Sequence, residues 1–199
     1  MRKMKKLYLI LTHTGTALST IIKYYTKDEF SHVSIALDSD LKEMYSFGRL
    51  HPYNPFWGSF VHEEINKGTF KRFKKTKTEV YSFFVTDEQY DKAKKIITYF
   101  NENKRKYRFN FIGLACISIH KKVKRKNKFY CAEFVKHVLK SSGISEANHL
   151  PVLIKPEDFK QLPGLRLEYE GLLRKYKKKK YLKLEDVHEL IQGKKISYV

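Results

Sequence analysis

The sequence predicts an α+β fold, an antiparallel sheet packed against helices, and three observations carry that reading. Short apolar runs with period two fill the first half of the chain. Residues 31–48 read as a hairpin, the unit of antiparallel pairing. Helical stripes then follow at residues 86–101 and 131–143, the second headed by a cysteine. Helix, antiparallel strands, helix and cysteine helix come in that order, with strands and helices segregated along the chain.

Each element has its own signal. Leu7–Leu11 is a compact apolar run, so a buried strand. The turn "THTGT" leads into "ALSTIIKYYT", where Leu18, Ile21, Ile22 and Tyr25 keep helical spacing. In "SHVSIALD", Val33, Ile35 and Leu37 point one way, and His32, Ser34 and Ala36 point the other. After the turn "DSD", "KEMYSFG" is the return strand. "RLHPYNPFWGSF" holds two prolines, a glycine and the only tryptophan; it reads as a long aromatic loop over residues 51–60, of the kind that lines a site. "EVYSFFV" is another strand. Thr86 and Gln89 match a capping box, opening a helix to about Asn101 with Tyr90, Ala93, Ile97 and Phe100 inward. "KRKYRFNFIGLACISI" fits a short helix or a strand equally well. In "KFYCAEFVKHVL", Cys131, Phe134, Val135, Val138 and Leu139 fall on one helical face, and Gly143 supplies a C-cap. "LPVLIKPEDF" is a loop with a cap signal at Pro156-Glu157, and from Arg174 the chain is lysine-rich.

The chain has 199 residues, enough for one domain with a real core. Its 14 Tyr and 14 Phe set it apart from disordered sequences. A net charge of +20 favours anionic partners, whether nucleic acid, anionic lipid or an anionic wall polymer, without choosing among them. No nucleic-acid-binding motif accompanies that charge. Two cysteines make no disulfide framework and fit a reducing cytoplasm. No cysteine–histidine cluster has metal spacing, so neither metal nor cofactor is expected. Asp38-Ser39-Asp40 lacks the frame of a calcium loop and reads as a turn. "MRKMKKLYLILTHTG" starts as a signal peptide would, but its apolar run of five residues is short of the roughly seven such a segment needs. No stretch reaches the roughly 18 apolar residues of a membrane span.

Cys131 admits two readings: a small apolar plug heading a helical stripe, or a nucleophile. A helix N-terminus stabilises a thiolate through its free N–H groups and dipole, and six basic residues from Lys121 to Lys128 add charge of the same sign. A nucleophile also needs a base. Among eight histidines, His32 stands out because it opens a strand on the face away from the apolar stripe. Glu133 lies about 200° from Cys131 around the helix and reads as a first-turn acid that suits the dipole. Cys116, inside "IGLACISI", reads as a core residue.

"SHVSIAL", followed by a second strand and, about a hundred residues later, "FYCAEFV", resembles the circularly permuted papain-like branch of the NlpC/P60 superfamily. That branch includes the YiiX/YaeF-type proteins and the lecithin:retinol acyltransferase-like enzymes. The resemblance covers roughly residues 5–145. In ordinary papain-like chains cysteine precedes histidine; here the order is reversed, as in the permuted group. It implies one permuted papain-like domain, with a core over about residues 5–165 and a lysine-rich extension over 166–199. Cys131 would be the nucleophile and His32 the base that takes its proton. A third polar residue on the next strand would orient the imidazole; the position falls on Ser46, with Glu43 as the alternative. The Cys131 backbone N–H would meet the oxyanion, aided by a side chain such as Tyr8, His13 or Tyr107. Tyr53, Phe56 and Trp57 would wall the substrate.

The reaction so implied is acyl transfer through a thioester. Family substrates are amides of peptide-like or cell-wall-derived compounds, or acyl lipids. The segment "LKLEDVHELIQGKKISYV" is not the hydrophobic anchor usual in the lipid enzymes, so a cysteine amidase or peptidase is expected first. A lipid acyl hydrolase or transferase drawn to anionic membranes by lysine-rich segments, and a non-catalytic basic binding protein, are the alternatives.

Overall fold

The structure, a computed structural model, describes residues 4–15, 28–51, 54–116, 121 and 123–177. It is α+β. Six strands form one sheet, in the order β4-β3-β2-β1-β5-β8: β1 (Met4–His13), β2 (His32–Ala36), β3 (Met44–His51), β4 (Asn54–Glu63), β5 (Lys77–Thr86) and β8 (Arg166–Leu172). Every neighbouring pair is antiparallel. Two short strands, β6 (Arg108–Phe109) and β7 (Lys128–Phe129), pair in parallel beside it. The helices are α1 (Gly68–Arg72), α2 (Asp87–Glu102), α3 (Phe111–Cys116) and α4 (Cys131–Ser141).

Both faces of the sheet are covered, which explains the uninterrupted apolar run in β1. Leu7, Leu9 and Leu11 face α2 and α4 together with Val33, Ile35, Phe47 and Phe60. Tyr8 and Ile10 face the other way, with Met44, Val80, Phe70 and Leu173. Phe134 of α4 anchors the first core: its ring centroid lies 5.4 Å from Phe47, 5.4 Å from Phe60 and 5.2 Å from Phe100. That one side chain ties α4 to β3, β4 and α2. Truncating such a buried aromatic costs about 3–5 kcal/mol.

Several sequence expectations are met. Residues 31–48 contain the β2–β3 hairpin, with Ile35 opposite Tyr45 and Ala36 opposite Met44. The Thr86 hydroxyl accepts from the Gln89 N–H at 3.2 Å, while the Gln89 side chain accepts from the Thr86 N–H at 2.9 Å, closing the capping box. Gly143 follows α4 with φ of 79°. The Asp38 carboxylate takes the N–H groups of Asp40, Lys42 and Glu43, so "DSD" is a turn. The stretch 104–116 holds both a short strand and a short helix, which is why neither period dominated its pattern. The helix expected at 17–26 lies outside the described residues.

Two expectations are corrected. The aromatic loop at 51–60 is mostly strand β4, at the sheet edge, where Pro55 removes no essential ladder bond. Arg166–Leu172, placed in a C-terminal extension, is edge strand β8, with Tyr169 opposite Val80. Its alternation of Leu167 and Tyr169 with Arg166, Glu168 and Glu170 was overshadowed by the lysines that follow. Among the described residues, no helix is long and apolar enough to cross a membrane.

Candidate active site

α4 begins at Cys131, and its buried stripe of Phe134, Val135, Val138 and Leu139 fixes that end of the helix. Glu133 accepts the Tyr130 N–H at 3.3 Å, so it caps the first turn, as expected of an acid there. Asn110 ties the neighbouring segment to this turn. It is fully buried; its amide donates to the Val123 carbonyl at 3.1 Å, and its Oδ1 accepts the Gly113 N–H at 3.1 Å.

His32 is the first residue of β2, opposite Thr12 near the end of β1. It shares a face with Ser34, away from α4, as the alternation indicated. Being at the strand's start, it reaches the pocket that Cys131 also lines. Its Nε2–H donates to Glu63 Oε1 at 3.0 Å. Ser34 Oγ donates to the other carboxylate oxygen and lies 3.3 Å from His32 Nε2. Cys131 lines the same pocket and is among the groups that raise the His32 pKa. Nε2 is engaged by Glu63, so Nδ1 is the nitrogen left for the thiol.

The electrostatics follow from burial and pairing. The side chains of His32 and Glu63 are 19% and 12% exposed. Burial opposes the imidazolium, but the Glu63 charge and the contacts with Cys131 and Glu63 outweigh it, so the His32 pKa is raised. Burial likewise opposes the Glu63 carboxylate; the His32 charge, then hydrogen bonds from His32 and Ser34 and the nearby Ser46 hydroxyl, hold its pKa below the usual value. A paired imidazolium beside a thiol favours the thiolate.

The orienting group thus differs from the expected one. Glu63, on β4, meets the imidazole. Ser46 is buried on β3 beside the same carboxylate and helps hold it ionised, but its hydroxyl makes no well-formed hydrogen bond. Glu43 sits in the β2–β3 turn, its backbone bonded to Asp38 and Leu37, away from the site. The side-chain oxyanion candidates fall elsewhere too. Tyr8 shares the sheet face of His32 but lies four residues further along β1, opposite Ala36, in the second core. Tyr107 is packed 4.4 Å from Phe100 in the main core. His13 ends β1 opposite Lys77 and does not line the pocket. Tyr53 and the side chains of Phe56 and Trp57 lie outside the described residues. Cys116 is half-buried at the end of α3 rather than in the core.

A pocket of about 70 Å³ opens over Cys131, His32 and Glu63. Phe70, Phe109, Phe111 and Leu114 form its apolar walls, and Thr14, Ser31 and Arg49 add polar groups. One wall depends on a close approach. A Cβ on Gly58 would stand 2.8 Å from Phe109 Cβ and 2.9 Å from the Gly48 carbonyl oxygen. Gly58→Ala is therefore expected to lower stability by about 1–3 kcal/mol in denaturant melts, and an unchanged midpoint would mean that β4 and β6 separate freely. Among the described residues, no group of acids, histidines and cysteines is arranged to hold a metal ion.

The arrangement can activate a thiol, hold an imidazolium and accommodate a small acyl group. Comparison with known proteins adds nothing to this: no family model matches the chain, and no curated protein matches it.

Proposed function

We propose that this protein is a cysteine hydrolase of the circularly permuted papain-like type, cleaving an amide bond of a small peptide-like substrate. The observation that carries the reading is Cys131, His32 and Glu63 around one pocket, with the nucleophile at a helix N-terminus. The thiolate attacks the carbonyl carbon, forming the C–S bond and pushing charge onto oxygen, where the Cys131 N–H meets it. His32 Nδ1 gives its proton to the leaving nitrogen, and the C–N bond breaks. The neutral imidazole then takes a proton from water, whose oxygen attacks the thioester and releases the acid and the thiolate. Glu63 stays ionised, holding the ring's tautomer and its charge. The papain-like fold assignment draws its support from chain order: histidine on a strand start, cysteine about a hundred residues later on a helix that packs against the same sheet.

The test is capture of the thioester. Incubation with an activated ester such as p-nitrophenyl acetate is expected to place one acetyl group on Cys131, read by peptide mass spectrometry. Cys131→Ala abolishes the adduct. Acetylation scattered over lysines, equal in the variant, would refute the reading.

A further inference from the structure

The pocket over Cys131 lies beside a second cavity, of about 330 Å³. The two share Arg49, Glu63, Thr69 and Phe70, so they adjoin, and Arg49 stands where they meet. Resting on the hydrolase reading, we propose that Arg49 binds a carboxylate of the substrate, making the preferred substrate an N-acylated amino acid or short peptide with a free carboxylate near the scissile amide and an apolar side chain.

Five observations carry this. Arg49 is the only lysine or arginine among the described residues that line the catalytic pocket. It is half-buried, and burial disfavours its charged form; a desolvated guanidinium gains most from an anion. Its cross-strand neighbour is Gly58, and the β3–β4 register shifts between Arg49 and His51. Such irregularities re-aim side chains. The acid in the pocket, Glu63, is already engaged by His32 and Ser34. A guanidinium carries five donors, so contacts elsewhere do not exhaust its capacity for a bidentate carboxylate. Phe70, Phe109, Phe111 and Leu114 supply the surface for an apolar side chain.

Protection of Cys131 from iodoacetamide tests this without knowing the natural substrate. The probes are N-acetylphenylalanine and N-acetylphenylalaninamide, which differ in the carboxylate alone. In the unmodified protein the acid is expected to protect at a concentration about tenfold or more below the amide. Arg49→Met is expected to erase that difference, each variant being scored against its own unprotected rate. Arg49→Lys, which keeps the charge and guards against a folding artefact, is expected to retain part of it. Equal protection by both probes, no protection by either, or a preference surviving in Arg49→Met would overturn the assignment. Fast alkylation of Cys131 without acid preference refutes the Arg49 role alone; slow alkylation of Cys131 refutes the hydrolase reading beneath it.

Discussion

Iodoacetamide is expected to alkylate Cys131 about tenfold or more faster than Cys116 at pH 6–7. Access alone predicts the reverse, because Cys131 is 3% exposed whereas Cys116 is half-buried. The reversal has an electrostatic source. Only the thiolate reacts, and an ordinary thiol is a few per cent ionised near neutral pH. Cys131 has a helix N-terminus on one side and an imidazole with a raised pKa on the other; Cys116 sits at the C-terminal end of α3 instead. The ratio is expected to be largest at pH 6 and to shrink above about pH 8.5, where ordinary thiols ionise. His32→Ala is expected to bring Cys131 down to the rate of Cys116 or below, and to cost about 10²–10⁴-fold in turnover. Peptide mass spectrometry over a time course measures both rates in one tube. Equal slow labelling in the unmodified protein would leave Cys131 as a core plug.

The placing of Cys131 and His32 at one pocket was legible because each combines a residue type with an element boundary. Cys131 begins a helix whose stripe is unambiguous, and His32 begins a strand whose alternation is clean. Glu63 was not legible, for a reason of register. The resemblance puts the orienting group on the strand following His32, and Ser46 does occupy that face. The carboxylate arrives from one strand further, and β4 was hidden because proline, glycine and asparagine in "PYNPFWGSF" are loop residues by composition. Edge strands tolerate proline, so composition misleads most where a strand is paired on one side only. Had β4 been recognised, "FVHEE" would have put Glu63 opposite Met44 and on the Ser46 face. Tyr8 and Tyr107 failed as donors for the opposite reason: their hydroxyls drew attention, but their rings follow the apolar pattern of the two cores.

Glu63→Gln separates an orienting carboxylate from a polar neighbour, because glutamine keeps the shape and an acceptor for His32 but removes the charge. The stability effect has a defined pH window. The His32 pKa is raised on folding, so its contribution is full below about 6.5, the ordinary histidine value, and is lost as pH rises through the folded value. The Glu63 pKa is lowered on folding, so its contribution is present above about 4.5, near the ordinary carboxylate value, and is lost as pH falls through the folded value. The pair therefore contributes most between about pH 4.5 and 6.5. There the substitution strands a largely buried imidazolium, which costs about 1–3 kcal/mol, since the site is not fully dry. Above that window the two proteins are expected to converge as His32 gives up its proton more readily in the variant. Denaturant melts from pH 4 to above the folded His32 value of about 10 trace the difference curve, and Glu43→Gln, in the turn away from the site, is the control. Reactivity should follow the same charge: if Cys131 reacts by way of the proposed pair, loss of Glu63 weakens the imidazolium, and alkylation at pH 6 is expected to fall about tenfold or more. A difference curve that is flat across this pH range, with alkylation unchanged, would mean that Glu63 accepts a hydrogen bond from His32 and does nothing to its charge.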